Sequence, residues 1–291
     1  MGYDKLTQDL ADFDAALATT GFTIPGNSPL ADQLATTRDF LQDKASLPED
    51  DWLRKWQPRF KDFYDAQIVV ARLTHAISVL RDKPQGILRK YLKTISSGPL
   101  TQGSDPNQAK DFFYELWLAS VLAEGGFDVE LREPDIVVTG NGLTKELGIA
   151  CKYPSTEKQV HAHLSKGYSQ ISKHTGDGIV AIGLDLIVLR TAFPDGVNYL
   201  DFRQNDKHPV DVLQKLVDEA TVHLVDARPK LYPSEDPVDG AMLTLTFGGI
   251  FGEPPAMTFV SAVALQCSHS NPNLANVGLI RDGIYSLNPD E

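Results

Sequence analysis

The sequence predicts an α/β protein in which helices flank a mixed sheet and a helical region precedes it. Up to about residue 125 the apolar residues recur at spacings of three and four, which is typical of amphipathic helices. After Gly125 and Gly126 the pattern changes to short apolar runs separated by turn residues, which is typical of strands. We therefore predict a helical region over residues 1–104 and an α/β domain over residues 105–291.

Local signals predict each element of the α/β domain. Asp105 and Pro106 supply an N-cap and a first helical residue for a helix that ends at Gly125. Three strands follow, FDVELR, DIVVT and LGIAC, the last two joined by the turn TGNG. The remaining predicted elements are a helix from Ser155 to about Lys173, a single strand GIVAIGLDLIVL, a helix over 209–226, and the strands AMLTLTF and MTFVSAVALQC around a hairpin connection, GGIFGEPP.

The composition is typical of a globular cytoplasmic protein. Of the 291 residues 42% are hydrophobic, which is enough for a sizeable core. Cys151 and Cys267 lie far apart and fit neither a metal-ligand nor a disulfide pattern, so we expect a reducing compartment. The N-terminus is unlike a secretory signal, and no apolar run approaches the roughly 18 to 20 residues of a membrane span. We predict a cytoplasmic location without membrane contact.

The charge is unevenly distributed along the chain. The formal net charge is −12, but the first hundred residues are balanced and the acidic excess increases toward the C-terminus. The segment RDKPQGILRKYLK contains one acid and five basic residues, Arg81, Lys83, Arg89, Lys90 and Lys93. Two interpretations remain open for this segment: a nucleic-acid-binding surface and an ordinary solvated helix face.

Three polar residues stand out against the apolar pattern. Glu115 borders the apolar face of its helix, Asp135 follows Pro134 at the entrance of a strand, and Lys152 ends the next strand. Pairing of these two strands about the TGNG turn would bring Asp135 and Lys152 to the same end of the sheet. Each residue also has a structural explanation: a glutamate that reaches water, an aspartate in a turn, a lysine where a strand surfaces. Together they indicate a Mg²⁺ site with a neighbouring lysine.

This series of motifs resembles the PD-(D/E)XK nuclease superfamily, which has the restriction-endonuclease-like fold. The resemblance covers about residues 108–190 and rests on Glu115, the pair Pro134 and Asp135, the strand GIACK, and a helix carrying KGYSQI. It implies a nuclease that depends on a divalent metal, Mg²⁺ or Mn²⁺, and of DNA and RNA we predict DNA as the substrate. The sequence departs from the family pattern at Ala150, where members most often carry glutamate or aspartate.

The resemblance also implies a role for each matching residue. Asp135 would bind the metal, position 150 would supply the second acid, and the main-chain carbonyl of Cys151 would be a further ligand. Lys152 would be the catalytic lysine, Glu115 would act around the metal and its waters, and Gln170 would assist from the following helix. His161, His163 and the Cys151 thiol are not part of this set; we expect the histidines on the surface and the thiol in the core.

Ala150 has three explanations: an engineered inactivation, a natural loss of catalysis, or relocation of the acid to another element such as Glu115. Glu146 shares its strand face but lies four residues away, roughly 13 Å, which is too far to replace the ligand. We favour engineered inactivation, because the residues around the gap are retained. Two rival interpretations stay open, a non-catalytic nucleic-acid- or protein-binding module on a degenerate nuclease fold and an unrelated α/β domain. A homodimer is a further option.

Overall fold

The structure, a computed structural model, describes residues 3–100, 107–192, 199–201, 215, 238–251, 256–266 and 274–285. These residues group into two compact units, and the division falls inside a helix, after Phe113. The first unit is Met1–Phe113 with described parts of Leu189–His208 and Phe247–Val260. The second is Tyr114–Val188 with described parts of Pro209–Thr246 and Ser261–Glu291.

The N-terminal part of the first unit is helical, which confirms the predicted helical region. Aromatic packing forms part of its core, because Phe40 stacks on Phe63 with 3.6 Å between ring centroids. The same ring meets Trp52 and Trp56 edge-on, an arrangement that aromatic quadrupoles favour. The helices are α1 (Tyr3–Thr20), α2 (Pro29–Ser46), α3 (Glu49–Trp56), α4 (Phe60–Val79) and α5 (Gln85–Ser96), with a 3-10 turn, Gln57–Arg59, before α4.

The predicted mixed sheet is confirmed. Its strands are β1 (Asp128–Glu130), β2 (Ile136–Thr139), β3 (Leu147–Lys152), β4 (Gly178–Gly183), β5 (Tyr199–Asp201), β6 (Val238–Phe251) and β7 (Ala256–Gln266). Their order is β1-β2-β3-β4-β6-β5, and β7 pairs with β6. The pairs β1–β2 and β2–β3 are antiparallel, whereas β4 pairs in parallel with both β3 and β6.

Helices cover both faces of this sheet, as the sequence predicts. The helix α6 (Gln108–Glu124) precedes β1, and α7 (Glu157–His174) connects β3 to β4. Gly167 of α7 faces Val180 of β4, whereas Tyr114 of α6 faces Gly183 of the same strand. Because residues three apart on a strand point to opposite faces, α6 and α7 cover opposite faces of the sheet.

The β2–β3 hairpin fixes the end of the sheet where the candidate residues lie. Its turn contains Gly140, Asn141 and Gly142, which have φ angles of 78°, 46° and 82°. Glycine and asparagine tolerate this left-handed region best, so the sequence TGNG predicts the turn correctly. The resulting register pairs Ile136 with Ile149. Continued by one residue, it sets Asp135 opposite Ala150.

The predicted single strand GIVAIGLDLIVL is wrong in its second half. The strand ends at Gly183, and helix α8 (Asp185–Ala192) begins two residues later. The Leu184 carbonyl accepts hydrogen bonds from the Ile187 and Val188 N–H groups at 3.0 and 2.9 Å, so the backbone turns into a helix there. An apolar run without a break fits a buried strand and a buried helix equally well, which explains the error.

Other predicted boundaries also differ from the structure. The N-cap of α7 is Thr156, not the predicted Ser155. The N–H and the hydroxyl of Ser155 instead donate hydrogen bonds to Gln159 Oε1. Strand β6 extends to Phe251, so the first half of the predicted connection GGIFGEPP belongs to a strand, and residues 252–255 lie outside the described residues. The predicted helix 209–226 also lies outside them, apart from Lys215.

A C-terminal helix, α9 (Leu274–Tyr285), is an element that the sequence analysis missed. It packs on the second unit, because the Thr144 N–H donates to Asn276 Oδ1 and Gly283 approaches the Gly125 carbonyl. None of the described helices has an apolar stretch long enough to cross a lipid bilayer.

Candidate active site

Asp135 immediately precedes β2 and faces the end of β3. Its Oδ2 atom accepts a hydrogen bond from the Cys151 N–H at 2.7 Å and another from Lys152 Nζ at 3.1 Å. The aspartate side chain is 16% exposed. Its Oδ1 atom accepts no hydrogen bond from the residues that the structure describes. Asp135 therefore presents one paired and one available carboxylate oxygen.

Lys152 ends β3 and turns its ammonium group back toward the sheet. Nζ donates to the Cys151 carbonyl at 2.6 Å as well as to Asp135 Oδ2, so one cation bridges two oxygen atoms. The side chain is 9% exposed, which removes most of the water that would otherwise screen this ion pair. The predicted meeting of Asp135 and Lys152 at one end of the sheet is the arrangement observed.

Ala150 is fully buried on the same strand face as Lys152, under helix α7. A Cβ atom added to Gly167 would lie 3.4 Å from the Ala150 Cβ and 2.7 Å from Val180 Cγ1. The helix therefore approaches β3 and β4 closely at this point, which only glycine permits. An acidic side chain at position 150 would begin beneath the backbone of α7, beside Asp135.

The close approach of α7 leads to a stability prediction. Gly167→Ala should lower the free energy of unfolding by about 1 to 3 kcal/mol, because the added methyl overlaps the stiff side chain of Val180. Gly278, in the interior of α9, has no atom within 4 Å of an added Cβ. Gly278→Ala should therefore stabilise by up to about 1 kcal/mol through helix propensity. Urea denaturation followed by circular dichroism measures both changes.

A second substitution provides the control for this prediction. In a Val180→Ala background, where the obstructing γ-carbons are absent, Gly167→Ala should cost much less than in the parent chain. Equal costs in the two backgrounds would show that the Gly167 backbone, and not its contact with Val180, sets the effect.

Gln170 reaches the site from α7. Its Nε2 atom donates to the Pro134 carbonyl at 3.3 Å, next to Asp135 in the chain. Its Oε1 atom is buried and has no hydrogen-bond partner among the described residues. A buried amide oxygen without a partner is costly, so this atom is suited to receive a ligand, a water molecule or a metal-bound water.

His163 is a residue near the site that the sequence analysis placed on the surface. It is half-buried, and its Nδ1 atom is buried without a partner among the described residues. Burial, together with the positive charges of Lys152 and Lys166, lowers the pKa of the imidazole, so the ring is neutral at pH 7. The signal for this residue was available in the sequence, because His163 and Gln170 are seven residues apart and share a helix face.

Glu115 stands on helix α6, in the layer opposite α7. Its side chain is 8% exposed. The preceding residue, Tyr114, stacks on Tyr153 at 5.4 Å between ring centroids and packs against Gly183. The described contacts of Asp135 are with Cys151 and Lys152 of β3, and Gln170, on α7, contacts the Pro134 carbonyl. Glu115 therefore lies on the helix that covers the sheet face opposite the one that carries Ala150 and Lys152.

The electrostatic state of Asp135 depends on its burial. Burial raises the pKa of this carboxyl, while the Lys152 ammonium and the Cys151 N–H oppose the rise. A raised pKa means that this carboxyl holds its proton to a higher pH in the folded protein than in the unfolded chain. This contribution to stability is fully present below the unfolded-state value of about 3.9 and is lost as the pH rises through the folded-state value. A cation bound to Asp135 would offset the cost of ionisation.

The donor set suits a hard cation but is incomplete. The Asp135 carboxylate and the Cys151 carbonyl supply oxygen atoms, the ligand type that Mg²⁺ and Mn²⁺ prefer. Within the described ranges no group of three or more His, Cys, Asp or Glu side chains is arranged to hold a metal ion. With alanine at position 150, the Asp135 carboxylate and the Cys151 carbonyl are the oxygen ligands that this end of the β2–β3 hairpin offers to a cation.

A second buried polar network lies immediately after Lys152. Asp185 Oδ2 accepts a hydrogen bond from the Tyr153 hydroxyl at 2.9 Å, and its Oδ1 accepts one from the Thr246 N–H at 2.7 Å. The Tyr114 hydroxyl and the Thr244 hydroxyl share a hydrogen bond of 2.9 Å nearby. This network joins the end of β3 to α6, α8 and β6, and so fixes the backbone that carries Lys152.

The Cys151 side chain points away from the site. It is buried on the face opposite Lys152, which confirms the prediction that the thiol belongs to the core. Only its backbone takes part in the site, through the N–H bonded to Asp135 and the carbonyl bonded to Lys152.

The basic segment of the first unit lies in and before α5. Four of its side chains, Arg81, Arg89, Lys90 and Lys93, are exposed, and Lys83 is half-buried. Among the described residues none of the five forms an ion pair, whereas Arg38, Arg54 and Lys55 of the same unit each pair with an aspartate. We call these five residues the basic face. Its charges are available to a polyanion.

Comparisons with models of known protein families, with curated proteins and with solved structures find no match for this chain.

Proposed function

We propose that this chain is a divalent-metal-dependent nuclease of the PD-(D/E)XK type, with a restriction-endonuclease-like core, in which alanine replaces one acid of the metal site. One observation supports this most strongly. Asp135, the Cys151 carbonyl, Lys152 and Gln170 meet at the end of β3, on either side of a position that carries no functional group. These are four of the positions to which the resemblance assigns a role, and they lie around the position where its second acid would be.

Each of the residues present would have its own role in phosphodiester hydrolysis. Asp135 and the Cys151 carbonyl would hold Mg²⁺ or Mn²⁺. When bound, the metal would polarise the scissile phosphate and lower the pKa of a coordinated water. Lys152 would neutralise negative charge as it develops on the phosphate, and Gln170 Oε1 would orient a water molecule through its unpaired acceptor.

Alanine at position 150 explains why the present chain should be nearly inert. The site contains one carboxylate and one ammonium group, so it has little net negative charge with which to retain a dication. Three origins for the alanine remain: engineered inactivation, natural loss, and relocation of the acid to Glu115. The direct test is the Ala150→Glu protein, for which we expect metal-dependent cleavage of DNA.

A second candidate function is a non-catalytic binding module on a degenerate nuclease fold. The observation that favours it is the ion pair itself, because the Lys152 ammonium donates to both Asp135 Oδ2 and the Cys151 carbonyl, the two groups that a metal would need. Such a module would bind nucleic acid or protein but would not gain activity from an acid at position 150. The two candidates therefore differ in one measurable outcome.

We propose that the basic face contacts the phosphates of the nucleic acid, DNA in preference to RNA. Lysine and arginine residues at a protein surface release counterions when they neutralise phosphates, and this contribution is independent of base sequence. Replacing all five residues of the basic face by alanine should weaken binding to every DNA sequence similarly. The slope of log K against log salt should fall by nearly one unit for each lost contact.

Fluorescence anisotropy with labelled duplexes at several salt concentrations measures this change. The matched control is alanine replacement of the ion-paired residues Arg38, Arg54 and Lys55, whose charges are already neutralised, and which should leave binding nearly unchanged. Unchanged binding after removal of the basic face would assign this helical region to another purpose, such as homodimer formation or a regulatory partner.

A further inference from the structure

We propose that the Lys152 ammonium is the resident cation of this site and that it competes with a divalent metal for the same two oxygen atoms. Nζ lies 2.6 Å from the Cys151 carbonyl and 3.1 Å from Asp135 Oδ2. These two groups are the metal ligands of the proposed function, on which this inference rests. It does not require that the protein cleaves nucleic acid.

Geometry makes the competition direct. A divalent ion held by the Cys151 carbonyl and Asp135 Oδ2 would need the same oxygen atoms that now accept hydrogen bonds from Nζ. Two cations that share these oxygens would also repel each other strongly in a site that excludes most water. The lysine must therefore swing away, or the metal must use only Asp135 Oδ1.

The charge balance determines which cation is retained. In the present chain a single carboxylate, Asp135, faces the ammonium directly, and the pair is nearly neutral. The surrounding ionisable groups do not alter this conclusion, because Glu133 is largely exposed and His163 is neutral at pH 7. An acid at position 150 would add a second negative charge on the same strand face. Ala150 therefore leaves the ammonium as the favoured occupant.

The test is the affinity for Mn²⁺, measured by isothermal titration calorimetry and by the electron paramagnetic resonance signal of free Mn²⁺. We expect Lys152→Met to bind Mn²⁺ at least about tenfold more tightly than the parent chain, because the competing charge is absent. Lys152→Arg is the matched control: it keeps the positive charge and should show no gain. Adding Asp135→Asn to Lys152→Met should remove the gain, which locates the ion at this site.

The position of the lysine in the Ala150→Glu protein provides a second measurement. Reductive methylation followed by mass spectrometry should modify Lys152 slowly without metal and faster when Mn²⁺ displaces the ammonium. Lys145, which pairs with Asp177 at the surface, serves as the internal reference and should not respond. Labelling of Lys152 that saturating Mn²⁺ leaves unchanged would overturn the inference, even if Lys152→Met failed to fold.

The outcomes separate this inference from the proposed function. Mn²⁺ binding by Ala150→Glu combined with no gain in Lys152→Met would overturn only the competition. Absence of Mn²⁺ binding in both proteins would overturn the metal site itself, and with it both proposals. Tighter binding in Lys152→Met together with accelerated labelling of Lys152 would support the competition whether or not any variant cleaves DNA.

Discussion

Ala150→Glu is expected to convert a nearly inert protein into one that cleaves DNA in the presence of Mg²⁺ or Mn²⁺. The new carboxylate would lie beside Asp135 on the same strand face and would give the site a net negative charge. It would also supply a ligand that orients the attacking water. The rate should rise by about a hundredfold or more, since loss of even an outer partner of a metal ligand typically costs 10- to 100-fold.

The measurement is the cleavage of labelled single- and double-stranded DNA, with RNA as a further substrate. Ala150→Gln is the matched control, because it has nearly the same shape as glutamate but no charge, and it should stay inactive. Adding Lys152→Ala or Asp135→Ala to Ala150→Glu should abolish cleavage, and EDTA should do the same. Ala150→Asp is a useful second variant, since its shorter side chain needs less room beneath Gly167.

Two results would redirect the interpretation. An Ala150→Glu protein that is folded but inactive on all three substrates with either metal would favour the non-catalytic module. Ready cleavage by the parent Ala150 chain would mean that the acid has moved to another element. In that case the Glu115→Ala substitution should abolish cleavage.

Asp185→Ala is expected to be the most destabilising of the single substitutions proposed for the second unit. The carboxylate is 2% exposed and accepts hydrogen bonds from the Thr246 N–H and the Tyr153 hydroxyl. Alanine would leave both donors buried without this acceptor, and each unsatisfied group costs about 1 to 3 kcal/mol. We expect a loss of about 2 to 5 kcal/mol in the free energy of unfolding, measured by urea denaturation.

Two companion variants make this prediction specific. Glu130→Ala removes a 69% exposed acid and should change stability by no more than about 0.5 kcal/mol. The double variant Asp185→Ala with Tyr153→Phe should lose less than the sum of the single losses, because the tyrosine donor is removed together with its acceptor. A cost for Asp185→Ala no larger than that for Glu130→Ala would show that this network does not hold the end of β3.

Particular residues show how much of the fold and of the site can be predicted from the sequence. The TGNG turn and the apolar runs on either side of it predict the β2–β3 pairing, and that pairing brings Asp135 and Lys152 together. His163 was missed because a histidine on an amphipathic helix is usually solvated, and only packing against the sheet buries its Nδ1 atom. Helix α8 was missed because an apolar run has no period that separates a buried strand from a buried helix.

The sequence by itself determined the α/β class, the helical N-terminal region and the antiparallel hairpin, because periodicity and turn chemistry act over a few neighbouring residues. Only the tertiary structure decided that Lys152 bridges Asp135 and the Cys151 carbonyl, that Gly167 closes α7 over Ala150, and that Asp185 anchors the end of β3. The reason is physical. These contacts join residues that are far apart in the chain, and their geometry depends on how the layers pack, a property that local patterns do not encode.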